Sequence, residues 1–582
     1  MESQPSRLLP DESAADYKKR MKQAWNAKRL QSPSILLPPR IVTIYSDGEG
    51  ATDLEVPRQV KFSSKAPVIQ SSLASISCKA MGVSELLERL NEVLRMKYTL
   101  ETPFLSDILQ TYIDRDYDFG TTLGYLRPHW SVGFSALKEE LEKLEAEDTE
   151  MRQSAMDTRK NQIVNPGLRP RRVWDLYSNR ILPIWAIRKD PWAVSHPWME
   201  LELRHNVDTP INGYKWPVPI PIDTTLERVR VELLNLGAEY IWVDVLCLRQ
   251  EGSMENERLR LEEWKLDVPT IGYVYRQNQR IVYYYSGLGR PFRIGDLTGK
   301  RHWLNRAWTL QEICENSVIG GIAADSPMPS VYLEGEGNVA SEAGRFYDIL
   351  GSLPSVLLEV GNVFTVLEAM RHRSAVSELD KIAGLGYLLR PSVLPTYIPS
   401  QPAEDAWNHL IETMSDRSRG DLLFLYPSPG NGYHIWAPSW QQVMDATKLP
   451  HDGAEGRFAS LTSICSATTG AYEYHYRGHR IERCMLRGLD KPDHQRKHRD
   501  GIVSITSAGV TYELTIWAAH QQPIEEGSYV LIGSLCYGFW VVGRIRDTGH
   551  IEKVSVIIIL PSDQRDLLQN MKLAPIMDNE FV

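Results

Sequence analysis

A change of pattern near residue 165 constrains the fold more than any other feature of the sequence. The segment Asn165-Pro-Gly-Leu-Arg-Pro170 contains two prolines and a glycine, which interrupt helices and strands. After it, three apolar runs of strand length, Trp192–Ser195, Tyr240–Val245 and Ile281–Tyr285, alternate with stretches of helical periodicity. Strands separated by helices predict a parallel sheet with helices on its faces. In such a fold the functional site lies beyond the carboxyl ends of the strands.

Spacing of apolar residues and capping signals predict the helices between these strands. From Asp223 to Leu236, leucine and valine recur at intervals of three and four residues, which is typical of an amphipathic helix. Thr224 and Glu227 are spaced as a capping box at its start, and Gly237 is a natural residue for its end. Two later helices are predicted at Trp264–Tyr275 and His302–Glu315.

The segments on either side of this unit have different patterns and predict separate regions. We expect a disordered arm at 1–38, an N-terminal α+β region with a charged helix and linker at 40–165, an α/β domain at 170–325, a mainly helical region at 326–450 and a small β domain at 470–582. The predicted fold class is therefore α/β. It has a central doubly wound parallel sheet, a helical region and a C-terminal antiparallel β domain.

Composition and charge exclude several classes of protein. Of the 582 residues, 42% are apolar and 24% are charged, as in ordinary globular proteins. The net charge of −9 argues against nucleic acid as the main partner, because proteins that coat nucleic acid are usually basic. The six cysteines include no CxxC pair, so neither a zinc ribbon nor a disulfide framework is predicted.

Targeting and cofactor signals are also missing from the sequence. There is no secretory signal, and no apolar run approaches the roughly 20 residues that span a bilayer, so we expect a cytoplasmic protein without a membrane span. Residues 287–292 lack the third glycine of a dinucleotide fingerprint. Residues 295–301 are one residue short of a P-loop. The sequence therefore predicts no required cofactor and no metal.

Polar residues follow the predicted strands in three short blocks. The blocks read Ser195-His-Pro-Trp at the end of the first strand, YIWVDVLCLRQ at 240–250 and RAWTLQE at 306–312. Because the carboxyl ends of parallel strands meet at one edge of a sheet, we expect Ser195, His196, Asp244 and Glu312 to border one cleft. Asp244 ends an otherwise apolar strand, where a carboxylate is costly unless it is paired or exposed.

These blocks, in this order, resemble the fungal heterokaryon-incompatibility (HET) domain. That family's blocks run roughly as Ala-Leu-Ser-Tyr-x-Trp-Gly, Tyr-x-Trp-Ile-Asp-x-Leu-Cys-Ile-x-Gln and Arg-x-Trp-x-x-Gln-Glu. The resemblance covers about 170–325 well and 370–440 loosely. It implies an effector of self/non-self recognition and programmed cell death. Pro197 is unusual for the family, Met199 replaces its usual glycine, and Arg249 stands where an acidic or small polar residue is common.

The same blocks are distantly similar to the Toll/interleukin-1 receptor (TIR) fold, in which some members cleave NAD with a helical glutamate. That similarity implies Glu312 as the catalytic carboxylate, with Trp308 beside the base. Breaking the nicotinamide–ribose bond develops oxocarbenium character that a fixed carboxylate can stabilise. The structural alternative is that Trp308 anchors the helix in the core while Glu312 pairs with Arg306. Asp244 either orients Ser195 or His196, or caps a neighbouring loop.

Three functions follow from these resemblances and stay open at this level. The chain is a cell-death effector, or its domain hydrolyses NAD as a substrate through Glu312, or it is a non-catalytic adaptor. The adaptor would act by self-association or with another incompatibility or signalling protein. The site residues expected beside Glu312 are Ser195, His196, Trp198, Asp244, Gln250, Arg306, Trp308 and Gln311. Gln250 and Gln311 are interpreted as hydrogen-bonding struts between turns.

Overall fold

The computed structural model describes most of the chain outside its N-terminal arm. The described residues are 40–43, 55–131, 133–293, 296, 302–314, 316–323, 363–450, 460–465, 472–536, 538–559 and 562–581. The predicted disordered arm at 1–38 lies outside the described residues, as does Glu315 of the predicted third helix.

A six-stranded mixed sheet forms the central unit. Its strands are β1 (Arg172–Asp175), β2 (Arg180–Pro183), β3 (Trp192–Ser195), β4 (Tyr240–Trp242), β5 (Ile281–Tyr283) and β6 (Ser317–Ile319). They lie in the order β6-β5-β3-β4-β1-β2. The expected parallel neighbours are present, since β3 pairs in parallel with both β4 and β5, and β5 with β6.

The predicted central parallel sheet is present in part, because at one edge β1 pairs antiparallel with both β4 and β2. Only residues 176–179 connect β1 to β2. So short a connection closes an antiparallel hairpin, whereas a parallel pair needs a crossover of a dozen residues or more. The fold is therefore mixed α/β, with four parallel strands extended by an antiparallel hairpin.

Helices and short hairpins surround this sheet. The helices of the central unit are Leu226–Leu236, Asp244–Cys247, Met254–Asp267 and Ile271–Gln277, with 3₁₀ segments at Ile184–Ala186, Leu201–Leu203, Pro210–Asn212, Trp303–Asn305 and Trp308–Glu312. An antiparallel pair joins Arg204–Val207 to Val218–Pro221.

The first of these helices begins at Leu226, not at the predicted capping box. Its N-cap is Thr225, whose hydroxyl accepts a hydrogen bond from the Arg228 amide. Thr224 is buried instead, and its hydroxyl donates to the Gly289 carbonyl. Gly237 ends the helix with φ of 97°, as expected.

Two predicted elements differ beside the carboxyl ends of the strands. Strand β4 ends at Trp242, and Asp244–Cys247 form a single helical turn in which the Asp244 carboxylate accepts the Val245 amide at 2.7 Å. The helix predicted over 302–315 is two 3₁₀ segments instead.

Backbone groups in the predicted third helix are bonded elsewhere. The Thr309 hydroxyl donates to the carbonyls of Trp303 and Arg306, and the backbone of Ser374 bonds both Asn305 and Ala307. These partners replace the i to i−4 ladder that a regular helix requires.

The N-terminal region is mainly helical and has a hydrophobic core of its own. Its helices are Ser71–Ala74, Cys78–Leu94, Leu105–Asp114, Phe119–Leu126 and Leu137–Ser154, with a 3₁₀ turn at Pro57–Gln59. Strands Arg40–Thr43 and Lys61–Ser64 pair antiparallel, and Met156–Asp157, Gln162–Ile163 and Leu394–Pro395 form a small sheet.

The C-terminal half contains a helical region and a β domain. The helices are Val363–Arg371, Glu378–Leu388, Ala403–Thr413, Asp416–Leu425 and Trp440–Asp445. The later strands are Thr462–Cys465, Tyr472–Arg487, Arg499–Ser507, Val510–Ala518, Gly527–Gly533, Phe539–Ile545, Ile551–Ile558 and Ile576–Phe581, with a helix at Ser562–Asn570.

The predicted C-terminal antiparallel β domain is confirmed, and its sheet closes on itself. Strand Tyr472–Arg487 pairs antiparallel with both Arg499–Ser507 and Gly527–Gly533, so that one strand joins the two ends of the sheet. In the part of the chain that the structure describes, no helix has the length and apolar character needed to cross a membrane.

Candidate functional site

A buried network links the carboxyl end of β3 to the second 3₁₀ segment. Ser195 is the last residue of β3 and is fully buried. Its hydroxyl donates to Oε2 of Glu312 at 2.5 Å and accepts the indole N–H of Trp303 at 2.6 Å. The Tyr283 hydroxyl, from the end of β5, donates to the backbone carbonyl of Glu312 at 2.9 Å. Two neighbouring strands therefore hold Glu312, β3 through its carboxyl group and β5 through its backbone carbonyl.

A second pair adjoins this network. Nε2 of His196 lies 2.9 Å from Oδ1 of Asp244, and the Trp198 indole N–H donates to Oδ2 at 2.7 Å. The amide of Val245 also donates to Oδ1. Because Ser195 and His196 are consecutive, the two pairs are contiguous. The structure thus brings together the four residues that the sequence places after the strands.

His196 and Asp244 shift each other's pKa values in opposite directions. Burial lowers the pKa of His196, but the adjoining Asp244 carboxylate more than offsets this, and the pKa lies above its usual value. Burial raises the pKa of Asp244, but the charge of His196 and the three hydrogen bonds outweigh it, and the pKa lies below its usual value. Each group therefore favours the charged form of the other.

Glu312 has the opposite tendency. Burial, reinforced by the negative charge of Asp244, raises the pKa of Glu312 to about 7. The hydrogen bond from Ser195 and the charges of His196 and Arg306 oppose this rise without cancelling it. Two carboxyl groups in one site thus titrate far apart, Asp244 as a permanent anion and Glu312 as a group that gains and loses a proton near neutral pH. Such separation is typical of acid–base sites.

Access to the network is from the Asp244 side. The Asp244 side chain is 25% exposed, whereas Glu312 is only 7% exposed. Trp198 is partly exposed and carries the Arg204 guanidinium over its ring at 5.1 Å.

Of the two glutamines expected as hydrogen-bonding struts, Gln250 bonds backbone carbonyls and Gln311 does not. Nε2 of Gln250 donates to the carbonyls of Asp244 and Leu248, so this side chain is the expected strut within the turn after β4. Gln311 is buried against Gly272, and among the described residues its side-chain amide has no hydrogen-bond partner.

The tryptophan that anchors the 3₁₀ segments is Trp303. It is buried, bonded to Ser195 and packed edge-to-face on Tyr283 and Tyr285. Trp308, for which that role was the structural alternative, is only partly buried. Nothing in the spacing of Trp303 along the sequence indicates that its N–H faces Ser195.

Further contacts to Glu312 come from residues that the sequence analysis did not select. The Tyr275 hydroxyl donates to the Val194 carbonyl at 3.0 Å. Burial, together with the charge of the adjoining Glu312, raises the pKa of Tyr275. Burial lowers the pKa of Arg373 to about 10, while the Glu312 charge opposes that change. The guanidinium of Arg373 donates to the Arg306 carbonyl at 2.8 Å.

Two departures from the HET pattern are accommodated outside the network. Arg249 bonds Glu263 and Asn256 and lies over the Trp216 ring. Met199 packs on Gly287, where a Cβ would come within 2.9 Å of its sulfur. Neither residue makes one of the hydrogen bonds to Asp244 or Glu312 described above.

Comparison of the chain with family models, with curated proteins and with solved structures found no match. Its site is therefore interpreted from its own geometry.

Proposed function

We propose that this chain is a HET-type cell-death effector whose central α/β unit hydrolyses NAD, with Glu312 as the catalytic carboxylate. The observation that carries the proposal is the Glu312 carboxyl group, buried, held by Ser195 and titrating near pH 7 at the carboxyl ends of parallel strands. The proposal includes a doubly wound, TIR-like ancestry for the parallel part of the sheet.

The chemistry suits one ionised carboxylate. When the bond between the ribose C1′ and the nicotinamide nitrogen breaks, its electron pair neutralises the pyridinium ring, so the leaving group needs no proton. Positive charge grows on C1′ and the ring oxygen, and the Glu312 carboxylate stabilises it. Water then bonds to C1′ and loses a proton. A group with a pKa of about 7 is matched to accepting that proton near neutral pH.

The other residues act as positioning groups in this scheme. Ser195 and Trp303 hold one carboxylate oxygen, and a fixed geometry spares the cost of reorganising it during the reaction. The His196–Asp244 contact holds the end of β3 against the turn after β4. Trp198, bonded to Asp244 and partly exposed, borders the open side where the substrate would arrive.

Release of nicotinamide from NAD by the purified full chain tests the proposal. Glu312→Gln should lower the rate by on the order of 10²-fold or more, because the neutral amide does not stabilise the developing cation. Glu263→Gln is the matched control: Glu263 is a largely buried carboxylate of the same unit, bonded to Arg172 and Arg249 and outside the network. It should keep the wild-type rate.

Two results would count against this function. An active wild type whose Glu312→Gln variant is equally fast places the catalytic group elsewhere. A folded wild type without activity, even when oligomerised, favours the adaptor.

Exposed apolar side chains of the central unit favour the adaptor as second candidate. Leu201 is 68% exposed and Ile222 is 56% exposed, and the Ile222 amide donates to the Leu203 carbonyl, so the two residues lie on neighbouring segments. An exposed apolar patch of this kind suits self-association. Sedimentation of Leu201→Glu beside wild type tests this: loss of an oligomer supports the adaptor, and an unchanged monomer counts against it.

A further inference from the structure

The C-terminal β domain gathers two glutamates and two histidines outside the site described above. Glu473 and His475 are alternate residues of strand Tyr472–Arg487 and so face the same side. Glu580, in the last strand, lies directly opposite His475. His550 immediately precedes Ile551, which pairs with Phe581, the residue after Glu580.

The ligand atoms within this cluster lie farther apart than the partners of a hydrogen bond. Ligand atoms of Glu473, His475 and Glu580 all lie within 4.8 Å of one another. Nε2 of His475 is 3.7 Å from Oε2 of Glu473, which is longer than the roughly 2.7–2.9 Å of a charge-assisted hydrogen bond. Among the described residues this buried nitrogen has no hydrogen-bond partner.

The separation of His475 and Glu473 is close to that of two ligands of one metal ion. Two ligands of a tetrahedral ion with bonds of about 2.0–2.1 Å are separated by roughly 3.3 Å. The 3.7 Å separation of His475 and Glu473 needs only a small adjustment to reach this value. Two carboxylates would also neutralise the charge of a divalent ion.

His550 is placed as a supporting residue. Its Nε2 lies 2.9 Å from Oε1 of Glu580, and its Nδ1 lies 3.0 Å from the Thr548 hydroxyl. Both ring nitrogens are therefore engaged, and the ring can orient the Glu580 carboxylate. Partners of this kind around a metal ligand set its direction and basicity.

We propose that Glu473, His475 and Glu580 bind a divalent transition-metal ion of the zinc class, with His550 orienting Glu580. An imidazole combined with carboxylates selects such an ion over Mg²⁺ and Ca²⁺, which prefer oxygen ligands alone. Three protein ligands leave a fourth position for water or a substrate atom. The ion would also join strand Ile576–Phe581 to strand Tyr472–Arg487 through side chains.

Calorimetric titration of the metal-free full chain with Zn²⁺ tests this site. One equivalent should bind, and Ca²⁺ and Mg²⁺ should not compete. His550→Ala should weaken Zn²⁺ binding by about 10- to 100-fold, the usual cost of removing a partner of a metal ligand. His475→Ala and Glu580→Gln should weaken it further. His494→Ala is the control, because His494 is an exposed histidine of the same domain, and it should bind as wild type does.

Hydrogen exchange supplies an independent readout. Zn²⁺ should slow amide exchange in strand Ile576–Phe581 of the wild type and leave the His475→Ala protein unchanged. Two outcomes would overturn the proposal: a wild type that binds no Zn²⁺, or equal binding in wild type, His475→Ala and Glu580→Gln, which is adventitious surface binding.

Discussion

Replacing Glu312 by glutamine should stabilise the chain, and the gain should grow with pH. The pKa of Glu312 is raised from 4.5 to about 7 in the folded state. The folded state therefore binds more protons than the unfolded state between these values, and the wild type loses stability as pH rises through the interval. Glutamine has no such loss, because it carries no charge at any of these pH values.

The size of the effect follows from the displacement of the pKa. The pKa of Glu312 rises from 4.5 to about 7, and each pKa unit corresponds to about 1.36 kcal/mol, so full ionisation of Glu312 in the folded state costs about 3.4 kcal/mol. About 2.5 kcal/mol of this cost develops between pH 5 and pH 8. For a unit of 150–250 residues, the melting temperature of Glu312→Gln relative to wild type should therefore be about 5–10 °C higher at pH 8 than at pH 5. Calorimetric melting of both proteins at pH 5 and pH 8 measures it.

Glu263→Gln is the matched control for this measurement. Although burial opposes it, the charges of Arg172 and Arg171 and the hydrogen bonds from Arg172 and Arg249 lower the pKa of Glu263 to about 2. Glu263 is therefore ionised in both the folded and unfolded states over most of the range from pH 5 to pH 8, and its replacement should cost a nearly constant amount there. A Glu312→Gln difference that is equally constant would refute the reasoning, because it would mean that folding leaves the pKa of Glu312 unchanged.

Three further outcomes are expected from the packing of the described residues. Trp303→Ala should cost about 3–5 kcal/mol in chemical denaturation, and Trp308→Ala distinctly less, because only Trp303 is buried; equal costs would contradict this assignment. Burial lowers the pKa of Lys553 well below its usual value, so near neutral pH the wild type has a pH-dependent cost of folding that Lys553→Met lacks, although methionine also loses the hydrogen bonds of the amine to the Leu422 and Trp436 carbonyls. The stability of Lys553→Met relative to wild type should therefore fall as pH rises toward about 10.4. Melting curves of both proteins at pH 7 and pH 10 measure this change, and an unchanged difference would contradict the lowered pKa. Gly237→Ala should cost about 1–2 kcal/mol, because Gly237 has a positive φ that alanine adopts only with strain. Gly321→Ala should cost more, because Gly321 also has a positive φ and a Cβ there would lie 2.1 Å from a backbone oxygen. Similar melting temperatures of the two variants would exclude that clash.

Local features of the sequence were sufficient for the strand–helix alternation and for the position of the site. Runs such as Trp192–Ser195 and Ile281–Tyr285 are short, apolar and bounded by polar turns, and this is the pattern of a buried strand. Parallel strands share the edge at which their carboxyl ends lie, so Ser195, His196 and Asp244 could be placed together without coordinates. Gly237 could likewise be assigned to a helix end, since few other residues adopt its φ cheaply.

Only the tertiary structure decided how the residues around Glu312 are bonded. The segment 302–315 has the composition of a helix, yet Thr309 and Ser374 bond its backbone groups and turn it into two 3₁₀ segments. Ser374 is distant in sequence, so no local pattern contains this information. The same holds for the N–H of Trp303 on Ser195 and for the raised pKa of Glu312. Both arise from burial and from partners that folding brings together, because desolvation and hydrogen bonding depend on three-dimensional surroundings and not on spacing along the chain.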